Sequence, residues 1–567
     1  MTRPPLVLRG MRDFQRACSA VARKLLDAVD ERALRAVSPC VLLIALAPWL
    51  VTPIKRELAS WLFRDAAMCQ YTGWCIRHGV RLYKDVGAPD GPFIHFLHAF
   101  FQLFAGISDH GCRIADLVFQ IVVSGTMGAL LAPAFAPGRL SQAVQRLAWA
   151  AVGIAMWLPY YLNLGDGNTV QRDPYYALVG YLGMLLVFAS ADWGPRAGRA
   201  LACAGGALTT LMLFSRPFGA IYPAMSALGL LFEWREAPDS LARRARAAAV
   251  GGVAAAVATF GAVALFGSLS GFWYWYVRFP LVAYRFAGRI DPMALLTTDA
   301  NGYGTASEIA IIVLVGLIAA MATGALPWRA IGFALAPLFF LFSACWTGKG
   351  WSNHVVQTTA ARNIVLLLAL SRVWAHRADR GWSKVHGTVA VAILAYSAQL
   401  CHAQLEFSEF SSHTFVSTQE KDAFDVAEYL KAHTYREDRV FLYGHEAHAL
   451  LLAERVSAIP YYVNMIFNLQ SYMTRQPPSP GQEPTAKEMA RFTQLQSEIA
   501  ADGCGRLGGQ PPAAMVFLDN SFGIWGVPDG VTDVARLCPT LRTWLHDRYK
   551  LTSTVGNYHI YLRNDRS

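Results

Sequence analysis

Long apolar runs of about 17 to 22 residues recur along the first 400 positions, broken by short polar connections. A helix of that length crosses a hydrocarbon core of roughly 30 Å. The pattern predicts spans at about 36–52, 112–132, 146–162, 174–191, 198–214, 217–232, 247–267, 305–324, 328–346, 355–373 and 385–402. The expected fold class is a polytopic α-helical membrane protein with about eleven spans. The apolar stretch 92–107 holds two His and a stack of Phe. It reads as a helix lying at the interface, where aromatic rings prefer to sit. The long connection 268–304, with "GFWYWYVRFPLVAYRFAGRIDP", reads the same way.

After residue 402 the pattern changes. Short strand-like runs, "RVFLYG", "AAMVFLDN" and "NYHIYLRN", alternate with helix-like runs, "TQEKDAFDVAEYLKAH" and "TAKEMARFTQLQSEIA". That alternation predicts a small α/β domain. The domains expected are an N-terminal cytoplasmic segment over 1–35, a membrane domain over 36–402 with a first outer loop at 53–111, and a C-terminal domain over 403–567. The N-terminal segment is rich in Arg and lacks the prompt apolar core of a cleavable signal.

Composition supports this picture. Hydrophobic residues make up 54% of the chain and charged ones only 16%, against about 25% charged in an ordinary soluble domain. A formal charge of +11 would suggest nucleic acid in a soluble protein. Here the basic residues collect in alternate short loops: Arg139 and Arg146, Arg196 and Arg199, Arg235 to Arg246, Arg329, and Arg372 to Lys384. Retention of Lys and Arg on the cytoplasmic side explains them, so no nucleic-acid partner is expected. The same rule predicts a multi-pass protein of the bacterial inner membrane, N-terminus cytoplasmic and C-terminal domain periplasmic. No Cys/His zinc spacing occurs. Cys504 and Cys538 fall in the outer domain, where a disulfide is permitted, although pairing is not readable from sequence.

Polar groups beside hydrocarbon are expensive and therefore functional candidates. They gather on the predicted outer side: Asp65, Tyr83, Lys84 and Asp85 in the first loop; Asp166, Arg172 and Asp173 in "NLGDGNTVQRDPYY"; Arg216 in "SRPFGAIYP"; Arg289 and Asp291 in "RIDP"; Lys349, Asn353 and His354 in "TGKGWSNHVVQ". Arg and Lys suit a phosphate leaving group. A carboxylate suits the removal of a proton from an attacking hydroxyl. Tyr and Trp faces suit a sugar ring. The plain alternatives are Asp65 as a helix cap, Arg172 and Arg216 as anchors that snorkel to the interface, and His354 as an ordinary interfacial residue.

The run "RDAAMCQYTGWCIRHGVRLYKDVGAPDGPFIHFLHAFFQLFAGISDHGCRIADL" resembles the first periplasmic loop of the GT-C glycosyltransferase superfamily, in the branch of the aminoarabinose lipid A transferases and protein O-mannosyltransferases. "QRDPYYAL", "GKGWSNHVV" and "RVFLYGHEAHALLLAERVSAIPYY" resemble that branch's second acidic loop, its Lys/His segment and the opening of its outer domain. The resemblance implies a GT-C fold and a polyprenyl-phosphate-linked sugar as partner, with a glycan, lipid or protein as acceptor. It implies Asp65 as the catalytic base; the reading adopted is a single displacement with inversion, with Asp173 as the next candidate carboxylate. The donor phosphate would meet Arg172, Arg216, Lys349 and His354. Tyr83, Lys84, Asp85, Arg289 and the "GPF" at 91–93 would shape the substrate cavity. No protein metal site is expected, although a divalent ion is compatible with such chemistry. The sequence departs from the family at Ala66, where an acidic residue is usual. A transporter of lipid-linked sugars and an inactive scaffold are the rival readings. The transporter needs mid-depth ionisable groups that the predicted spans hold in small number. The scaffold draws on Ala66.

Overall fold

The computed structural model describes residues 50–566 apart from 63, 136–141, 166–167, 234–237, 287, 298–302, 323–325, 350–351, 376–417, 445–446 and 520–528. Segment 1–35, most of the span at 36–52, the span at 385–402, Asp166 and the Asn353 side chain lie outside the described part. Each of the other nine predicted spans coincides with a helix.

A helix at 50–59 leads to α1 (Arg64–Arg77), α2 (Pro92–Ala105) and α3 (Asp109–Phe135). Then come α4 (Gln142–Leu162), α5 (Arg172–Ala189), α6 (Pro195–Leu213), α7 (Ile221–Glu233) and α8 (Pro238–Phe266). The aromatic run follows as α9 (Leu269–Phe272), continued by π-helical turns over Trp273–Arg278 and Pro280–Tyr284. The chain continues through α10 (Tyr303–Ala322), α11 (Ile331–Thr347) and α12 (Val356–Ala375). Five helical stretches among the described residues are long and apolar enough to cross a membrane: Asp109–Ala132, Arg172–Asp192, Ser240–Phe266, Gly304–Ala322 and Trp328–Thr347.

Packing explains the arrangement. Helix α5 is buried on every side from Asp173 to Ala189, so it runs through the middle of the bundle. Helix α6 packs along α5 and α8, and α3 along α4. At the α6–α8 crossing, Gly206 rests on the Ala248 carbonyl and Gly251 on the Cys203 carbonyl. Neither position has room for a β-carbon, the close backbone approach favoured between apolar helices. Helix α2 has 14 residues, about 21 Å at 1.5 Å per residue. It is too short to cross on its own. Phe100, Leu103 and Phe104 are exposed on it while His95, His98 and Gln102 are buried.

Helix α8 starts before the apolar run that signals it. Arg243, Arg244 and Arg246, expected in a loop, lie on its first turns. The buried pair of Arg244 with Glu233 (2.5 Å) supports that extension.

The C-terminal domain is built on a five-stranded sheet. Its strands are β1 (Arg439–Tyr443), β2 (Val456–Ser457), β3 (Ala514–Leu518), β4 (Tyr549–Val555) and β5 (Tyr558–Arg563), in the order β2-β1-β3-β5-β4. Strand β1 runs parallel to β2 and β3, and β5 antiparallel to β3 and β4. Thr485 and Glu488 form a capping box at the start of the long helix Ala486–Gly509. Cys504 near that helix's end is disulfide-bonded to Cys538, with a Cα separation of 5.6 Å.

The domain's core is continuous with the first loop and the aromatic run. Tyr71, Trp74, Phe214 and Trp275 belong to the same buried cluster as Val440, Phe441 and Val516. Polar contacts cross the seam as well. The Gly87 amide donates to the Pro460 carbonyl at 3.1 Å, and the Gly288 amide to the Gln476 carbonyl at 2.7 Å. Arg278 makes a two-pronged pair with Glu498 at 2.7 and 2.9 Å. The domain therefore sits on the end of the bundle from which the first loop and the aromatic run emerge.

Candidate active site

The first loop is threaded onto that end of the bundle by backbone bonds. The Leu82 amide donates to the Phe266 carbonyl at 2.9 Å and the Tyr83 amide to the Val86 carbonyl at 2.7 Å. Tyr83 takes a left-handed backbone, φ 65°, which costs on the order of 1 kcal/mol in a side chain other than Gly. Its buried phenol donates to the Asp90 carbonyl at 2.6 Å. The Gly91 amide then donates to the Ser215 carbonyl at 3.2 Å. Together these contacts set Asp90 against the turn that carries Arg216.

The centre of the site is a buried group of opposite charges. Asp90 pairs with Arg172. Asp173 is fully buried; one of its oxygens accepts from Arg216 Nη2 at 2.9 Å and the other from Gln357 Nε2 at 3.1 Å. Arg172 Nε lies 3.5 Å from Asp173. The two arginine side chains are less deeply buried than the carboxylates, 16% exposed for Arg172 and 17% for Arg216. Two carboxylates thus hold two arginines in fixed orientation.

Lys349 and His354 close the group from α11 and α12. Gly348, with φ 63°, ends α11 in a left-handed cap, the conformation that favours Gly. The Ile290 amide donates to its carbonyl at 2.6 Å, bringing Arg289 beside Lys349. Burial, with the Arg289 charge adding to it, lowers the Lys349 ammonium to about 7. Burial also pushes the His354 imidazole well below its ordinary value, and Arg216, Arg172 and Lys349 push it the same way. His354 is therefore neutral and within electrostatic reach of all three cations.

Asp65 is the second residue of α1, inside its first turn rather than before it. It is half-buried, while Ala66 and Ala67 pack with Leu62, Cys112 and Val170. An acidic side chain at 66 would sit in that apolar contact. One turn on, burial pushes the Cys69 thiol up to about 12; Arg172 pulls it down, and Asp65 and Asp173 push it up. Asp65, Arg172 and Asp173 are thus each within electrostatic reach of Cys69. Near the charges, the buried hydroxyls of Ser215, Tyr176 and Tyr222 have no hydrogen-bond partner among the described residues.

The structure thus brings together Arg172, Asp173 and Arg216, with Arg289, Lys349 and His354 within electrostatic reach of the group; Tyr83 supports the wall, and Asp65 lies on α1, one turn before Cys69. Lys84 is exposed and Asp85 pairs with the exposed Arg81 at 3.2 Å; both sit on the rim. Asp90, Gln357 and Ser215 were not singled out by sequence reasoning. Their only signal was polarity next to an apolar run or inside the "APDGPF" turn. No group of three or more His, Cys, Asp or Glu side chains able to hold a metal ion occurs among the described residues. Asp90 and Asp173 are instead matched by arginines. The arrangement can orient an anion against the arginines with a carboxylate nearby to accept a proton.

No family model matches the sequence, and no curated protein matches it. The fold does have a solved counterpart: ArnT from Cupriavidus metallidurans bound to undecaprenyl phosphate is 12% identical, covering 93% of this chain and 98% of that one, with a TM-score of 0.53. The apo state of that protein aligns over the same shares at 12% identity with a TM-score of 0.47. The archaeal oligosaccharyltransferase AglB from Archaeoglobus fulgidus, in complex with an inhibitory peptide and a dolichol-phosphate, is 11% identical over 85% of this chain and 69% of that one, TM-score 0.44. The resemblance expected from the first loop therefore holds at the level of architecture, and the chain has the fold of the GT-C membrane glycosyltransferases.

Proposed function

We propose that this chain is a membrane glycosyltransferase that moves a hexose or pentose from a polyprenyl-phosphate donor to a glycan, lipid or protein acceptor on the outer face, with inversion. The observation that carries this reading is the buried Asp90–Arg172–Asp173–Arg216 group, with Asp65 and Arg172 both within electrostatic reach of Cys69. It supplies fixed cations for a phosphate and a carboxylate for a hydroxyl, on a fold whose solved counterpart holds undecaprenyl phosphate.

Asp65 takes the proton of the acceptor hydroxyl. The acceptor oxygen attacks the anomeric carbon, and the bond from that carbon to the phosphate oxygen breaks on the opposite face. Negative charge grows on the leaving phosphate, where Arg172, Arg216 and Lys349 stabilise it; neutral His354 donates a hydrogen bond. Asp173, with both oxygens engaged, holds Arg216 in place and is the second candidate base. Tyr83 and Arg289 shape the wall, and Lys84 and Asp85 stand where an acceptor enters. The protein belongs, on this reading, to a bacterial inner membrane with its C-terminal domain outside.

The test is a transfer assay with the purified chain, a labelled polyprenyl-phosphate sugar and a cell-envelope acceptor fraction. Wild type transfers label. Asp65→Asn keeps the shape and expression but loses on the order of a hundredfold to ten-thousandfold in rate. A carboxylate that only favours the start of a helix is worth about 0.3–1 kcal/mol, with no such rate effect. Near-normal transfer by Asp65→Asn would pass the base role to Asp173. Movement of the lipid-linked sugar across vesicles with no transfer would replace the enzyme with a transporter.

A further inference from the structure

The start of α3 touches both turns that deliver the proposed catalytic groups. Asp109, Arg113 and Asp116 follow one another at helical spacing, so they share one face of α3. Arg113 is completely buried. Its Nε donates to the Ser60 carbonyl at 2.8 Å and its Nη2 to the Trp61 carbonyl. Its Nη1 donates to Glu57 and, at 3.2 Å, to the Thr169 hydroxyl. Ser60 and Trp61 form the turn that leads into α1 and Asp65. Thr169 lies in the turn that leads into α5, shortly before Arg172 and Asp173.

The neighbours of Arg113 on that face act on the same two turns. Asp109 accepts from the Leu62 amide at 3.1 Å. Asp116 accepts from the Tyr161 phenol, whose oxygen accepts in turn from the Val170 amide at 2.9 Å. Val170 takes a left-handed backbone, φ 59°, which a β-branched side chain rarely adopts. Such a conformation persists only where the surroundings hold it. Leu62, Ala66, Ala67, Cys112 and Val170 form one buried cluster. The first turn of α1 therefore packs on the turn before Arg172, and α3 fastens each of them by polar bonds.

Stability is a weak reason for this arrangement. Apolar side chains of similar volume often replace a buried ion pair without loss. A guanidinium spread over four acceptors on two turns fixes direction and spacing, which an apolar side chain does not.

We infer that Arg113 is a positioning residue for the proposed transfer, holding the turn of Asp65 in register with the turn of Arg172 and Asp173. The inference rests on the reading of Asp65 as the base and of the arginines as contacts to the donor phosphate. Arg113 is buried behind both turns and acts through them, not on a substrate. It sets the spacing between the group that takes the proton and the groups that receive the leaving phosphate. A misplacement of about 1 Å in such a constellation costs on the order of a hundredfold in rate.

The test uses the full chain purified in detergent, with transfer kinetics from a polyprenyl-phosphate sugar and backbone hydrogen exchange read by mass spectrometry. Thr169→Val keeps the size of the side chain and removes the acceptor on one side of the link. It should lower kcat on the order of tenfold to a hundredfold with the donor KM unchanged, because Arg172 and Arg216 keep their own carboxylates. Thr169→Ser returns the hydroxyl and should restore kcat. Arg113→Lys reaches fewer of the four acceptors; exchange should rise in both turns, 60–66 and 168–172, and kcat should fall as in Thr169→Val. If Arg113→Lys does not fold, the two Thr169 variants decide. A wild-type kcat in Thr169→Val, or a loss that Thr169→Ser does not restore, overturns the positioning role. A loss carried by the donor KM alone overturns it as well, because the turn then acts on the phosphate contacts by itself. A wild-type chain that transfers nothing overturns the proposed function and the role of Arg113 with it, whereas normal transfer by wild type and Thr169→Val alike removes the role of Arg113 alone.

Discussion

At the scale of single residues, Lys349 carries the sharpest expectation. Its ammonium is held near 7 by burial and by Arg289, so it is charged below that pH and neutral above it. A donor phosphodiester keeps its single charge across this range, so any pH dependence comes from the protein. If the charged contact is worth about tenfold in affinity, bound donor raises the lysine pKa by about one unit, to about 8. Donor affinity should then be level below pH 7, fall about tenfold between pH 7 and 8, and level off again. Lys349→Arg, which stays charged, should remove the fall. Binding isotherms for a polyprenyl-phosphate sugar from pH 6 to 9 check this; a flat wild-type profile would remove Lys349 from the phosphate site. Lys349 was visible in the sequence because a charge beside an apolar run is rarely idle. Asp90 was not, because "APDG" reads as an ordinary turn until Arg172, far along the chain, arrives beside it. The sequence pattern marks which residues are costly to place. Which of them meet is decided by the crossing of α5, α6, α11 and α12.

At the scale of elements, the long apolar helices and the inner strands were legible and the edges were not. Strands β1 and β3 are buried from Val440 to Tyr443 and from Ala514 to Leu518, and such continuous apolar runs signal themselves. Strand β4 exposes Lys550 and Leu551 and β2 spans only two residues, so neither carries a strand pattern. Short contacts between elements are likewise invisible in the pattern. Gly91 has φ −69°, which Ala tolerates; its restriction is steric, because a β-carbon there meets the Phe214 carbonyl. Gly91→Ala must push the turn bearing Arg216 away from Asp90, at a cost of about 1–3 kcal/mol. It should lower the melting temperature by several degrees and transfer activity at least tenfold. Gly79→Ala is the control. That glycine has φ 77° and open space around it, so the substitution strains only its own turn and should leave activity unchanged. Equal activity in both variants would show that the first loop does not set Arg216.

At the scale of the whole molecule, the central argument is the separation of the bundle's two ends. Every connection that carries the candidate active site emerges at one end: the starts of α5 and α12, and the ends of α6 and α11. The C-terminal domain docks there too, through Gly87 to Pro460 and Arg289 to Ser479. Glu233, paired with Arg244 and Arg329, lies at the other end, about one hydrocarbon thickness away along α5. Arginine-rich loops near that second end predict that it faces the cytoplasm. The prediction is testable with two exposed positions, Lys84 on the rim of the site and Arg196 at the start of α6. A Lys84→Cys variant in intact spheroplasts should react with a membrane-impermeant maleimide above the wild-type background. An Arg196→Cys variant should react only after the membrane is opened. A tag after residue 567 should be reached from the same side as position 84, since the C-terminal domain covers that end. Reversed labelling would invert the topology and leave the architecture intact. Labelling of both positions from one side would mean that α3, α4 and α5 do not make an odd number of crossings between them, and the separation of the bundle's two ends across the membrane would fall with it.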